Sequence, residues 1–123
     1  MMNKKEIGLK NLDEIDGAAA EGVFEALKDI APDLNDMMLE FAFGTIYDRK
    51  CLDFKQREMI TITSLLTQGG CENQLRVHIQ ASLNVGLTKE EIVETFIHCA
   101  PYVGFPRVLN AIFVAKEVFE KAD

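Results

Sequence analysis

Apolar residues recur along this chain at the spacing of an α-helix, and glycine or proline interrupts the pattern between segments. In residues 16–30, Val23, Phe24, Leu27 and Ile30 give an amphipathic helix one buried face. The sequence has no run in which apolar and polar residues alternate as they do in a half-buried β-strand. The pattern therefore predicts an all-α bundle of about six helices, and a length of 123 residues predicts one domain over residues 1–123.

Residues typical of helix ends set the predicted boundaries. Gly69 and Gly70 end the central helix, Gly86 suits a helix C-cap, and Thr88 forms a capping box with Glu91. The last helix is predicted to bury Leu109, Ile112, Phe113 and Phe119. The predicted helices cover residues 16–30, 33–47, 71–84 and about 106–121. Two further helices are predicted between these, one that follows an N-cap at Asp53 and ends at Gly69-Gly70, and one that is capped by Thr88 and buries residues as far as Val103.

Charge and composition exclude several classes of protein. Thirteen basic against 20 acidic residues give a net charge of −7, which argues against binding nucleic acid. The chain has no apolar run long enough to span a membrane, and its first residues do not resemble a secretory signal. Three widely spaced cysteines indicate a reducing compartment, so we expect a cytoplasmic protein.

Two histidines and one glutamate are candidates for proton transfer. His78 lies near the edge of an apolar helix face, where it is either a buried structural histidine or a general acid or base. His98 shares a helix face with Glu94 and Tyr102, so a solvated Glu94–His98 pair is the alternative to catalysis. Glu58 lies in an apolar stretch, where it is either a proton carrier or a glutamate that favours the helix dipole.

Cys71 opens a predicted helix, where the positive end of the helix dipole favours a nucleophilic thiolate. His78 is seven residues further along that helix, a rise of about 10.5 Å, which excludes a direct Cys71–His78 hydrogen bond. The chain has neither Cys-x-x-Cys nor His-x-x-x-His, and it lacks phosphate-binding and dinucleotide-binding motifs. We therefore expect neither a metal nor a cofactor.

Two longer segments resemble the carboxymuconolactone decarboxylase family. They are residues 75–92, LRVHIQASLNVGLTKEEI, and residues 98–106, HCAPYVGFP, followed by Leu109-Asn110-Ala111. Upstream, Leu52-Asp53 and residues 57–60 are similar to the entry to the family's central helix, and the resemblance runs from about residue 34 to 121. It implies the small helical fold of the alkylhydroperoxidase-D-like superfamily and a homo-oligomer, often a hexamer built as a trimer of dimers.

The resemblance implies a cofactor-free enzyme that removes CO2 from a carboxylated lactone in aromatic catabolism. Such a reaction needs donors for a developing oxyanion and an acid that returns a proton. His78 matches the family's helix histidine and is the expected acid, and Glu58 is expected to set its protonation. His98 and Tyr102, also at family positions, are expected to donate to the oxyanion or to hold the substrate carboxylate.

The redox members of the superfamily imply an alternative. They reduce peroxides with a Cys-x-x-Cys pair that is followed by a histidine and served by an upstream glutamate. Cys71 matches the first cysteine of that pattern, but Gln74 occupies the place of the second, and Glu58 is one residue out of register. A thiol-dependent, peroxiredoxin-like activity would then use Cys71 with an external thiol. A non-catalytic protein that binds a small ligand is a third interpretation.

Overall fold

A computed structural model describes residues 1–122, and for residues 18–20 it describes the backbone alone. This part of the chain contains seven α-helices and one π-helix and no β-strand, which confirms the all-α prediction. The helices are α1 (Lys4–Ile15), α2 (Ala18–Leu27), α3 (Pro32–Met37), the π-helix (Met38–Ile46), α4 (Phe54–Gln68), α5 (Glu72–Asn84), α6 (Lys89–Val103) and α7 (Phe105–Ala122).

The predicted count of six helices is wrong for two reasons. The structure has an N-terminal helix, α1, that begins with a capping box between Asn3 and Glu6. The predicted helix over residues 33–47 changes register within its length and becomes the π-helix after Met37. The Tyr47 amide N–H accordingly donates to the Ala42 carbonyl, five residues back, at an N···O distance of 2.8 Å.

The chain divides into two compact units, Met1–Phe54 and Lys55–Asp123. In the first unit, α1 packs on the π-helix at two buried glycines, Gly8 and Gly44. The buried Asn11 side chain donates to the Phe43 carbonyl oxygen at 2.7 Å and ties the two helices together. This division does not test whether the chain is one domain over residues 1–123, so the single domain stays a prediction.

The second unit holds the larger hydrophobic core and every candidate site residue. Helix α7 packs against both α5 and α6. As predicted, Thr88 and Glu91 form a capping box that begins α6, and Gly86 has a positive φ of 105° after α5. The buried core consists of Ile62, Leu66, Leu75, Ile79, Leu87, Ile92, Phe96, Cys99, Val108, Ala111, Val114, Ala115 and Val118.

The buried face of α7 differs from the predicted one. Leu109 and Phe113 are 49% and 59% exposed, so the prediction that both are buried is wrong. The buried face instead carries valine and alanine, whose small side chains allow α7 to approach two other helices closely. Leu109 and Phe113 therefore lie on the outer face of α7, whereas Ile112 and Phe119 are partly buried against the core.

None of the helices within residues 1–122 combines the length and the apolar character that a membrane span requires. The cytoplasmic location stays a prediction.

Candidate functional site

Glu58 and His78 lie together in the second unit. The Nδ1 atom of His78 is 2.8 Å from the Oε1 atom of Glu58, and the Glu58 side chain is fully buried. The His78 side chain keeps 21% of its surface exposed. The site is therefore a buried carboxylate beneath an imidazole that solvent or a ligand can reach.

The local fold explains how the two side chains meet. Glu58 lies in the second turn of α4 on the same face as Ile62, which is fully buried in the core. His78 lies beside the buried Ile79 on α5, at the edge of the apolar face. The fully buried Ser82 hydroxyl donates to the His78 carbonyl oxygen at 2.7 Å. Glu58 is thus a core residue rather than a solvated glutamate at a helix N-terminus.

This arrangement suits proton transfer. A buried carboxylate needs a hydrogen-bonding partner, and the imidazole ring provides one. When Nδ1–H donates to Glu58, the Nε2 atom of His78 is the nitrogen that gives or takes a proton, and the carboxylate stabilises the imidazolium form. The pair therefore has the chemistry of a general acid or base held in one orientation by its carboxylate.

His98 lies elsewhere in the same unit, in an open depression between α4 and α6 with a volume of about 420 Å³. The exposed Tyr102 ring lies beside it, with a ring centroid distance of 5.8 Å. Glu58, His78 and Cys71 are absent from the lining of this depression. The lining residues are Met59, Thr63, Glu91, Glu94, Thr95, His98 and Cys99.

The Cys99 thiol forms part of the floor of this depression. It is buried and donates to the Thr95 carbonyl oxygen at 3.3 Å. Burial raises the pKa of this thiol, and a hydrogen bond with Thr63 offsets part of the rise. Cys99 is therefore a neutral, structural thiol.

The helix that Cys71 was predicted to open begins at Glu72, with Cys71 as its N-cap residue after two glycines with positive φ. The Cys71 Sγ atom is 3.8 Å from the Gln68 Oε1 atom. Cys71 borders a depression of about 10 Å³, no larger than one water molecule, together with Arg107. The Arg107 guanidinium lies close to Gly69: a Cβ atom built on this glycine would be 3.0 Å from the Nε atom of Arg107.

The arginine that precedes His78 on α5 is engaged by another helix. Arg76, two residues before His78, forms an ion pair with Glu117 on α7 at 3.0 Å. Within the described part of the chain, no three His, Cys, Asp or Glu residues are placed to share a metal ion.

The sequence patterns identified neither the role of Ser82 nor the position of Arg107 near Cys71. Ser82 stabilises the α5 turn at His78, and its position four residues after the histidine was the available signal, because Ser hydroxyls often bond to the carbonyl four residues back. Arg107 lies beside Cys71 only through tertiary packing, and nothing in its sequence context indicated this.

The helical fold and the buried carboxylate–histidine pair define a small all-α protein with a candidate acid–base site. The profile of the "CMD: Carboxymuconolactone decarboxylase family" matches residues 32–117 of the chain. The chain belongs to this family.

Curated proteins of known sequence are similar over most of the chain. The chain is 38% identical over 96 residues to the 4-carboxymuconolactone decarboxylase of Acinetobacter baylyi, and the aligned region covers 78% of this chain and 71% of that protein. The chain is 31% identical over 105 residues to the nitrosuccinic acid decarboxylase npaB of Metarhizium robertsii, and the aligned region covers 83% of this chain and 73% of that protein. An uncharacterized 15.0 kDa protein of Paracoccus denitrificans is 34% identical to the chain over 99 residues, and the aligned region covers 80% of this chain and 74% of that protein.

Proposed function

We propose that this protein is a decarboxylase that removes CO2 from a small carboxylated substrate without a cofactor, with a carboxylated lactone as the expected substrate. The hydrogen bond between Glu58 and His78 is the observation that carries the proposal. Two relatives named as decarboxylases of different acids support the reaction type and leave the acid open.

In the proposed reaction the bond between the substrate carbon and its carboxylate breaks, and CO2 leaves. The electron pair stays on the substrate and moves into the lactone carbonyl, which becomes an enolate. His78 then gives a proton from Nε2 to the enolate carbon next to the lactone carbonyl, and Glu58 holds Nδ1 so that the ring keeps its orientation. Glu58 is buried and acts through His78, so we assign it a positioning role.

The roles expected for His98 and Tyr102 stay predictions. They lie together on α6, in different surroundings from the Glu58–His78 pair. A hydrogen-bond donor for the developing oxyanion is still required by the chemistry.

The decisive experiment is an assay of CO2 release from 4-carboxymuconolactone by the purified protein. We expect release above the uncatalysed rate, with a proton incorporated into the product from solvent. In deuterated water the enol-lactone product should carry one deuterium on the carbon next to the lactone carbonyl, because the carbon that lost the carboxylate becomes part of the enol double bond. Binding of the lactone without CO2 release would favour the non-catalytic interpretation instead.

Cys71 supports a second candidate function, a peroxidase that uses an external thiol. It lies at the N-cap of α5, within reach of the backbone N–H groups of the first helical turn, and it lines the same small depression as Arg107. Brief peroxide treatment followed by intact-mass analysis should then add one oxygen to the wild-type protein and none to Cys71→Ser. If Cys71 is oxidised no faster than the exposed Cys51, the peroxidase hypothesis is wrong.

We further propose that the protein forms a homo-oligomer, for which the family resemblance implies a hexamer built as a trimer of dimers. Phe105, Leu109 and Phe113 lie at intervals of four residues on the outer face of α7, all exposed. An apolar stripe of this kind is typical of an interface.

Light scattering after gel filtration should give a mass several times 13.8 kDa for the wild-type protein. Phe113→Glu should lower that mass, because it places a charge in the apolar stripe. Lys116→Glu, on an exposed polar position of the same helix, is the matched control and should leave the mass unchanged. A wild-type protein that elutes as a monomer would contradict this proposal.

A further inference from the structure

We propose that the depression between α4 and α6 is a second ligand site, and that it binds a small organic cation: an amine carried on an apolar body. This site is distinct from the Glu58–His78 pair, so the proposal does not depend on the decarboxylase activity. Its volume of about 420 Å³ lies within the range of small-molecule sites in proteins.

The floor of the depression suits the apolar part of such a ligand. Met59 provides a thioether from α4, and Cys99 provides a buried thiol from α6. The Cys99 thiol is neutral, because burial raises its pKa. Sulfur atoms make favourable contacts with the edges of aromatic rings, so an aromatic ring fits this floor.

The rim of the depression suits the positive charge. Glu91 and Glu94 lie three residues apart on α6 and both line the depression. The Glu91 Oε1 atom accepts the Thr88 amide N–H at 2.9 Å, which fixes the position of the carboxylate. Hydrogen bonds from the Thr88 backbone and side chain lower the pKa of Glu91, so it is ionised at neutral pH. Lys55 lies close enough to Glu91 to offset part of its negative charge. Glu94 is therefore the carboxylate that the experiment changes.

The same rim disfavours an anionic ligand. A carboxylate that reached His98 would approach the two glutamates that line the depression with it. The family resemblance implies that His98 either donates to an oxyanion or holds a substrate carboxylate, and in both roles it would meet a ligand of the opposite charge to the one proposed here. One binding experiment can therefore distinguish the two hypotheses.

The experiment is a titration of the full-length, isotope-labelled protein at neutral pH, followed by amide NMR shifts. The probes are benzylamine, benzyl alcohol and benzoate, which share the ring and differ in charge. We expect benzylamine to shift the amides of Thr63, Thr95 and His98 and to bind about threefold to fivefold more tightly than benzyl alcohol, as for an exposed ion pair. Glu94→Gln should remove this difference, and Glu90→Gln, an exposed glutamate outside the depression, should keep it.

Three results would overturn the proposal. Equal affinity for benzylamine and benzyl alcohol would show that the rim does not select a charge. Tighter binding of benzoate would favour a carboxylate at His98. The absence of shifts at these amides with all three probes would show that the depression is not a ligand site.

Discussion

Glu58→Gln is expected to slow CO2 release by about 100-fold to 10,000-fold while the protein stays folded. Glutamine has nearly the same shape, and its amide oxygen can still accept the hydrogen bond from Nδ1 of His78. It lacks the negative charge that stabilises the imidazolium, so His78 becomes a poorer proton carrier. The measurement is kcat for CO2 release, together with thermal unfolding of both proteins.

A double-mutant cycle tests whether Glu58 acts through His78. His78→Gln should remove the proton transfer while its amide group still donates to the buried carboxylate, whereas His78→Ala would remove this hydrogen bond altogether. The double variant Glu58→Gln/His78→Gln should be no slower than His78→Gln alone, because the carboxylate has no second route to the reaction.

The matched control is Glu90→Gln, the same chemical change at an exposed position of α6. It should keep the wild-type rate. Additive effects of Glu58→Gln and His78→Gln would show that Glu58 contributes independently of the histidine. A Glu58→Gln variant as active as the wild-type protein would contradict the proposed role of the pair.

Local signals in the sequence predicted the second unit well. The Thr88–Glu91 capping box, the Gly69-Gly70 stop and Gly86 each act within a few residues, so their effect does not depend on the rest of the fold. The apolar faces of α5 and α6 followed from the same short-range pattern.

Long-range packing was beyond these patterns. Phe113 was expected in the core because it is large and apolar, but the close approach of α7 to two helices selects valine and alanine there. Likewise, the spacing of Glu58 and His78, 20 residues apart, contains no sign of their 2.8 Å contact. Before the structure, the link between the two residues was a hypothesis, in which Glu58 sets the protonation of His78.

The first unit was the least predictable part, and its glycines explain why. The buried face of α1 carries Gly8 and Asn11 beside Leu12 and Ile15, so it is not recognisable as an apolar stripe. A methyl group built on Gly8 would overlap the Leu39 carbonyl oxygen, and one on Gly44 would overlap the Lys4 carbonyl oxygen. The two helices therefore cross with their backbones in contact, which only glycine at both positions allows.

Gly44→Ala is accordingly expected to destabilise the contact between α1 and the π-helix by about 3 kcal/mol, because the added methyl group collides with backbone that cannot move aside. Hydrogen exchange followed by mass spectrometry should show faster exchange in residues 4–15 and 38–46. Gly22→Ala is the control: a methyl group on Gly22 in α2 has no neighbouring atom within 4 Å. Because alanine favours a helix over glycine, that variant should be stabilised by up to about 1 kcal/mol. Unchanged exchange in Gly44→Ala would show that the two helices can separate without loss, and that the close crossing does not stabilise this unit.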